Sequence, residues 1–252
     1  MKGKKVLITR AKEDNKEFRE QLERKGAIVV EKPMIHFTQV EDLTEIYSYL
    51  NQLETIDWIV FTSAQTVSHF FKIAESYNVK FYFYPNLKIA TVGEKTKLKL
   101  ELLGYRTNFV PIQYTAEVLA ENMDENIAGK RILIPQSNLA SKEYLRVFKK
   151  RGATPVPVTI YNTKAVEYPV DEFCDVINEK FDYLTFTSGS TFKAFYQNMT
   201  KAKKTLNAEK IISIGPSTSL VIRDNNLTVN GSATTHTVEG MVRAIEKLEE
   251  NV

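Results

Sequence analysis

Two short stretches, Phe61-Thr62-Ser63 in WIVFTSAQTVSHFF and Phe186-Thr187-Ser188 in YLTFTSGSTFKAFY, carry the hydroxyl groups best placed for chemistry. In each, an apolar strand-like run ends in Thr-Ser and a helical pattern follows. Ser or Thr at that junction caps the helix, and the free N–H groups of the first turn attract anions. Ser190 adds a further hydroxyl in the second stretch. TVGEKT (Thr91 to Thr96) and SIGPST (Ser213 to Thr218) repeat the design: Gly93 and Gly215 let backbone approach closely, and Thr96 and Thr218 place hydroxyls one turn in. QYTAEVL and THTVEGM offer Thr115 and Thr237 as a third cap. A single capping Thr is more often a structural device than a ligand. Six capped termini on one side of two sheets point instead to a cleft for a polyanion.

Other chemistries are disfavoured by what the chain lacks. It has no G-x-G-x-x-G, no G-x-x-x-x-G-K-[ST], no H-E-x-x-H and no G-x-S-x-G. Its three histidines, His36, His69 and His236, have no ligand spacing, and the one cysteine, Cys174, excludes an internal disulfide or a Cys cluster. No metal or other cofactor is expected. A net charge of +3 suits an acidic small molecule, not nucleic acid, and KAKK (Lys201 to Lys204) reads as a solvated helix end. The start, MKGKKVLITRAK, enters a strand directly, and no run reaches the roughly 18 apolar residues of a membrane span. The expectation is a soluble, cytoplasmic monomer without a membrane partner.

The elements that must hold these hydroxyls are written twice. The block from Gly3, GKKVLITRAKEDNKEF, recurs from Gly129 as GKRILIPQSNLASKEY, and Phe-Thr-Ser recurs from 61 to 186. KIATVGEKTKLKLELLGYRTNFVP from Lys88 recurs as KIISIGPSTSLVIRDNNLTVNGSA from Lys210. Three co-linear blocks at nearly one offset indicate an internal duplication of domain size. In the first copy KVLIT, AIVVE, WIVFT, KIATV and NFVP read as strands buried on both faces. Helical segments alternate with them, such as EDNKEFREQLERKG, where Phe18 and Leu22 share a face and Gly26 ends the helix. Alternation predicts flavodoxin-like, doubly wound parallel sheets with helices on both sides. The connectors EKPMIHFTQVED and PVPVTIYNTKAVEYPVD are long, extended and proline-punctuated. Residues 31–41 and 156–169 are therefore expected to form a two-stranded antiparallel linker. The chain crosses there, making lobe A residues 1–36 plus 166–252 and lobe B residues 40–160.

With VLITRA, DWIVFTSAQTV, IATVGEKTKLKL, VTIYNTK, FTSGST and SIGPST in order, the chain resembles the uroporphyrinogen-III synthase family over essentially its full length. The ordered set carries the likeness; no single motif does. The resemblance implies two α/β lobes around a cleft. It implies cyclisation of hydroxymethylbilane to uroporphyrinogen III with loss of water and inversion of ring D, without a cofactor. It matches Tyr161 to a tyrosine that faces the leaving hydroxyl; the alternative is a tyrosine that only packs on the linker. Arg10 is a further candidate against an ordinary surface charge. Gln65 stands where many members carry Asn or Arg after F-T-S-x. The expected substrate contacts are Arg10, Thr62, Ser63, Gln65, Gly93, Thr96, Thr187, Ser188, Ser190, Gly215, Thr218 and Thr237, with Thr62 and Ser63 facing Thr187 and Ser188 across the cleft. Two other readings share the architecture: a two-lobed small-anion binding protein without catalysis, and a two-lobed glycosyltransferase.

Overall fold

The first strand, β1 (Lys5–Ile8), shows why the sheets form as they do. Val6, Leu7 and Ile8 are all buried, so no face of the strand meets water. Only a sheet covered by helices on both sides satisfies such a run. The computed structural model describes residues 1–123, 126–206 and 209–250; residues 251 and 252, the end of the expected lobe A, lie outside them. After β1 come α1 (Asn15–Arg24), β2 (Ile28–Glu31), β3 (Ile35–Gln39), α2 (Thr44–Leu50), β4 (Trp58–Phe61), α3 (Ala64–Ser76), β5 (Lys88–Thr91), α4 (Glu94–Glu101), α5 (Ala116–Asn122) and β6 (Arg131–Ser137). Then follow α6 (Glu143–Lys150), β7 (Thr154–Ala165), α7 (Val170–Ile177), β8 (Tyr183–Phe186), α8 (Gly189–Lys201), β9 (Lys210–Ser213), α9 (Pro216–Arg223), β10 (Gly231–Ser232) and α10 (Val238–Glu250). Among the described residues no helix is long and apolar enough to cross a membrane.

The chain divides into two compact units, Met1–Phe37 with Lys164–Val252, and Thr38–Thr163. The sheet of the first has the order β10-β9-β8-β1-β2, with β1, β2, β8, β9 and β10 paired in parallel. Leu7, Leu184, Phe186 and Ile211 pack on one face against Phe173, Phe192, Phe195 and Ile222. Val6, Ile8, Tyr183 and Ile212 pack on the other against Phe18, Leu22, Met241 and Ile245. The alternation along β1 is the period of a strand.

The second sheet has the order β3-β7-β6-β4-β5, its strands β4, β5, β6 and β7 parallel. Trp58, Val60, Ala90, Ile132 and Ile134 pack against Leu119, Tyr144 and Phe148. On α3, Phe70 meets Phe61 edge-on at 5.2 Å. One expected strand is corrected here: NFVP makes only an isolated bridge, Phe109 to Ala90. The Asn108 side chain takes the Ile89 N–H at 2.8 Å, and Pro111 has no N–H to extend a ladder. The same side-chain bond recurs from Asn230 to the Ile211 N–H at 2.8 Å.

Each sheet also joins strands from both halves of the sequence, and matching anchors tie them. Asp182, before β8, accepts from the Lys5 N–H at 2.8 Å and the Lys4 ammonium at 3.2 Å. Asp57, before β4, accepts from the Arg131 N–H and the Lys130 ammonium, both at 2.8 Å. Burial works against each carboxylate, but these donors hold both below the usual Asp range.

Candidate functional site

In the first unit the candidates collect beyond the carboxyl ends of β1, β8 and β9, the edge where open α/β sheets bind ligands. Ser188 is the N-cap of α8 and its Oγ accepts from the Thr191 N–H at 3.1 Å. The Thr191 side chain completes a capping box, and Ser190 Oγ lies 2.9 Å from Ser188 Oγ. Thr187, Ser188 and Ser190 are half-buried. Next door, α9 starts at Gly215, whose backbone is extended, followed by Pro216 at the first helical position. A Cβ at Gly215 would stand 2.7 Å from His236 Cδ2, so any larger residue there would displace this exposed ring. Gly189 likewise faces Val221 closely, at 3.0 Å for an added Cβ, which seats α8 against α9. Thr218 is buried at 4% exposure, while Thr237 is exposed and its Oγ1 accepts from the Gly240 N–H at 3.1 Å.

Arg10 follows β1 in the same unit. Its side chain is only 13% exposed and ion-pairs with Asp14 at 3.3 Å, and its Nε is buried without a hydrogen-bond partner. At the start of α10, Glu239 accepts from Gln21 Nε2 at 2.8 Å. Burial opposes its ionisation, but hydrogen bonds from Gln21, its own N–H and Thr237 bring its pKa down to about 2.

The second unit repeats the pattern beyond β4 and β5. Ser63 caps α3, its Oγ accepting from the Thr66 N–H at 3.1 Å and lying 2.8 Å from Thr66 Oγ1. Thr62, Ser63 and Gln65 are half-buried. Gly93 is the N-cap of α4, and a Cβ there would meet the Tyr114 ring at 3.2 Å. Thr96 is buried at 6% exposure, and Thr115 caps α5 through the Val118 N–H at 3.2 Å. Tyr161 lies on β7 at 5% exposure, with the His69 ring stacked on it at 4.5 Å between centroids and 10° between planes.

Sequence reasoning missed five partners. Thr66 and Thr191 sit three residues after their N-cap serines, the capping-box position, and that spacing could have found them. Tyr114 and His236 precede the matched Thr115 and Thr237, so the aligned blocks held that signal too. The His69–Tyr161 stack had no local signal, because the residues lie far apart in the chain. The arrangement can offer helix N-termini and hydroxyls to an anion. Among the described residues no group of three or more His, Cys, Asp or Glu could hold a metal ion.

A family model described as "Uroporphyrinogen-III synthase HemD" matches residues 16–243. The uroporphyrinogen-III synthase of Synechococcus elongatus is 27% identical over 252 residues, spanning 97% of this chain and 95% of that protein. The structure matches a crystal structure of mutant uroporphyrinogen III synthase from Thermus thermophilus with a TM-score of 0.67 at 13% identity, covering 99% of this chain and 100% of that one. It matches uroporphyrinogen-III synthetase from Helicobacter pylori with a TM-score of 0.64 at 16% identity, covering 98% and 99%. Those two likenesses show a shared mixed α/β fold with parallel sheets.

Proposed function

Because the chain belongs to the uroporphyrinogen-III synthase family, we propose that it cyclises hydroxymethylbilane to uroporphyrinogen III in tetrapyrrole biosynthesis. The observation that carries this is the family match across residues 16–243. The hydroxymethyl C–O bond breaks and the oxygen leaves with a proton as water. The substituted carbon of ring D attacks the exocyclic methylene of the resulting azafulvene, giving a spiro-pyrrolenine. The bond from that carbon to the ring C bridge then breaks. The freed bridge carbon bonds to the unsubstituted α-carbon of ring D, and the proton there is lost, which leaves ring D inverted. The leaving group departs readily, so the main task of the protein is to hold the chain in the productive conformation. A substrate with eight carboxylates suits many helix N-termini better than one strong acid or base.

The residues proposed to contact the substrate carboxylates are Arg10, Thr62, Ser63, Gln65, Gly93, Thr96, Thr187, Ser188, Ser190, Gly215, Thr218 and Thr237, with the helix N-termini they flank. Tyr161 donates a hydrogen bond to the departing hydroxyl, which a phenol does without ionising. The chain works as a cytoplasmic monomer and needs no metal or organic cofactor. It arose by duplication, a reading supported by the matched Asp57 and Asp182 anchors and the matched Asn108 and Asn230 bonds. Residues 31–41 and 156–169 serve as its crossing linker. The test is incubation with enzymatically made hydroxymethylbilane and separation of isomers I and III. Isomer III in excess of the unaided reaction supports the reading, and isomer I alone rejects it.

A further inference from the structure

Tyr161 is held by more than its own strand. Between β6 and β7 the register shifts: Gln136 lies opposite Thr159, but Ser137 lies opposite Tyr161, leaving Ile160 as the extra residue. Such a bulge re-aims the side chains that follow it. The backbone carbonyl of Tyr161 accepts from the Asn138 N–H at 3.2 Å, which fixes the shifted register. The ring then lies against the imidazole of His69, at 4.5 Å and 10°.

The helix that carries His69 is itself held in place. Ser63 caps it. The next two residues, Phe70 and Phe71, are buried, Phe70 edge-on to Phe61 at 5.2 Å and Phe71 stacked on Tyr105 at 4.4 Å. The helix therefore cannot turn His69 away without exposing two phenylalanines. A phenol ring has two rotatable side-chain bonds, and displacement of a reacting group by about 1 Å can cost 10²-fold in rate.

We propose that His69 is a positioning residue for the reaction: its ring clamps the Tyr161 ring so that the phenol meets the departing hydroxyl in one orientation. This rests on the role given to Tyr161 above. In this role the histidine acts through the flat face of its ring. A flat ring of another kind should do the same work, and a branched or small side chain should not.

The test uses the full chain and hydroxymethylbilane, with H69F, H69L, H69A, Y161F and H69L/Y161F. H69F should retain kcat within about twofold, since offset ring pairs are interchangeable to that order. H69L and H69A should lower kcat about three- to tenfold with KM nearly unchanged and raise the share of isomer I. H69L keeps apolar volume at the position, so it gives the answer should H69A fail to fold. In the Y161F background H69L should cost nothing further, because its effect passes through the phenol. Wild-type kcat and isomer ratio in H69L, or an equal loss from H69L with and without the Tyr161 hydroxyl, overturns the proposal. If Y161F is slow and H69L is not, only the role of His69 falls. If Y161F turns over like wild type, the catalytic reading of Tyr161 falls and this inference with it.

Discussion

Replacement of Ser188 separates helix capping from substrate binding. Its Oγ accepts from the Thr191 N–H at 3.1 Å and meets Ser190 Oγ at 2.9 Å, so the hydroxyl already serves α8. Ser188→Ala should cost about 1 kcal/mol of stability, whereas Ser188→Gly should cost only a few tenths, because glycine is an adequate N-cap. For a chain of this size, 1 kcal/mol lowers Tm by roughly 2–4 °C. Binding should respond differently. Both substitutions remove the same hydroxyl, and a hydrogen bond to a carboxylate contributes about 1.5–3 kcal/mol, less where water replaces it. Each variant should therefore bind uroporphyrinogen III about tenfold more weakly, a loss of about 1.4 kcal/mol. Ser63, with the same cap to Thr66, should behave alike, and S63G/S188G should lose about a hundredfold if the two contacts are independent. Thermal melts and isothermal titration at fixed salt give the two quantities. Unchanged affinity in S63G/S188G would refute the reasoning: the two serines would be helix caps and nothing more.

Tyr161→Phe should leave stability nearly unchanged and lower turnover by roughly 10²- to 10³-fold, the effect of one hydrogen bond to developing charge; single-turnover assays check it. Exhaustive chelation and dialysis should leave activity intact, and restoration of lost activity by a divalent ion would refute the cofactor-free reading. Gly240→Ala should destabilise despite the usual helical gain of about 1 kcal/mol over glycine. The new Cβ would stand 2.1 Å from the Thr235 carbonyl oxygen, and urea melts should register a loss of roughly 1–3 kcal/mol. Glu239 has its pKa depressed from an ordinary 4.5 to about 2, so its contribution is present above 4.5 and is lost as pH falls toward 2. Glu239→Gln should flatten that part of the acid-denaturation curve.

The sequence by itself determined the fold class and the family. Continuous apolar runs such as Val6-Leu7-Ile8 and Trp58 to Phe61 can only be buried on both faces, which forces parallel sheets under two layers of helix. The serines at the strand ends were equally legible, because a cap is a local event and its partner stands three residues on. What the tertiary structure decided is what meets across distance. NFVP has the composition of a strand but makes a single bridge, since Asn108 and Pro111 leave no ladder to extend. The sequence sets Thr96 and Thr218 one turn into their helices, but their burial, to 6% and 4% exposure, comes from the fold. The position of Arg10 after β1 is plain in the sequence, but its 13% side-chain exposure is set by packing. The His69–Tyr161 stack depends on a bulge in β7 and on the rotation of α3, neither of which has a local signature. Periodicity and capping are properties of neighbours along the chain. Ring stacking and burial depend on partners that only the folded sheet brings near.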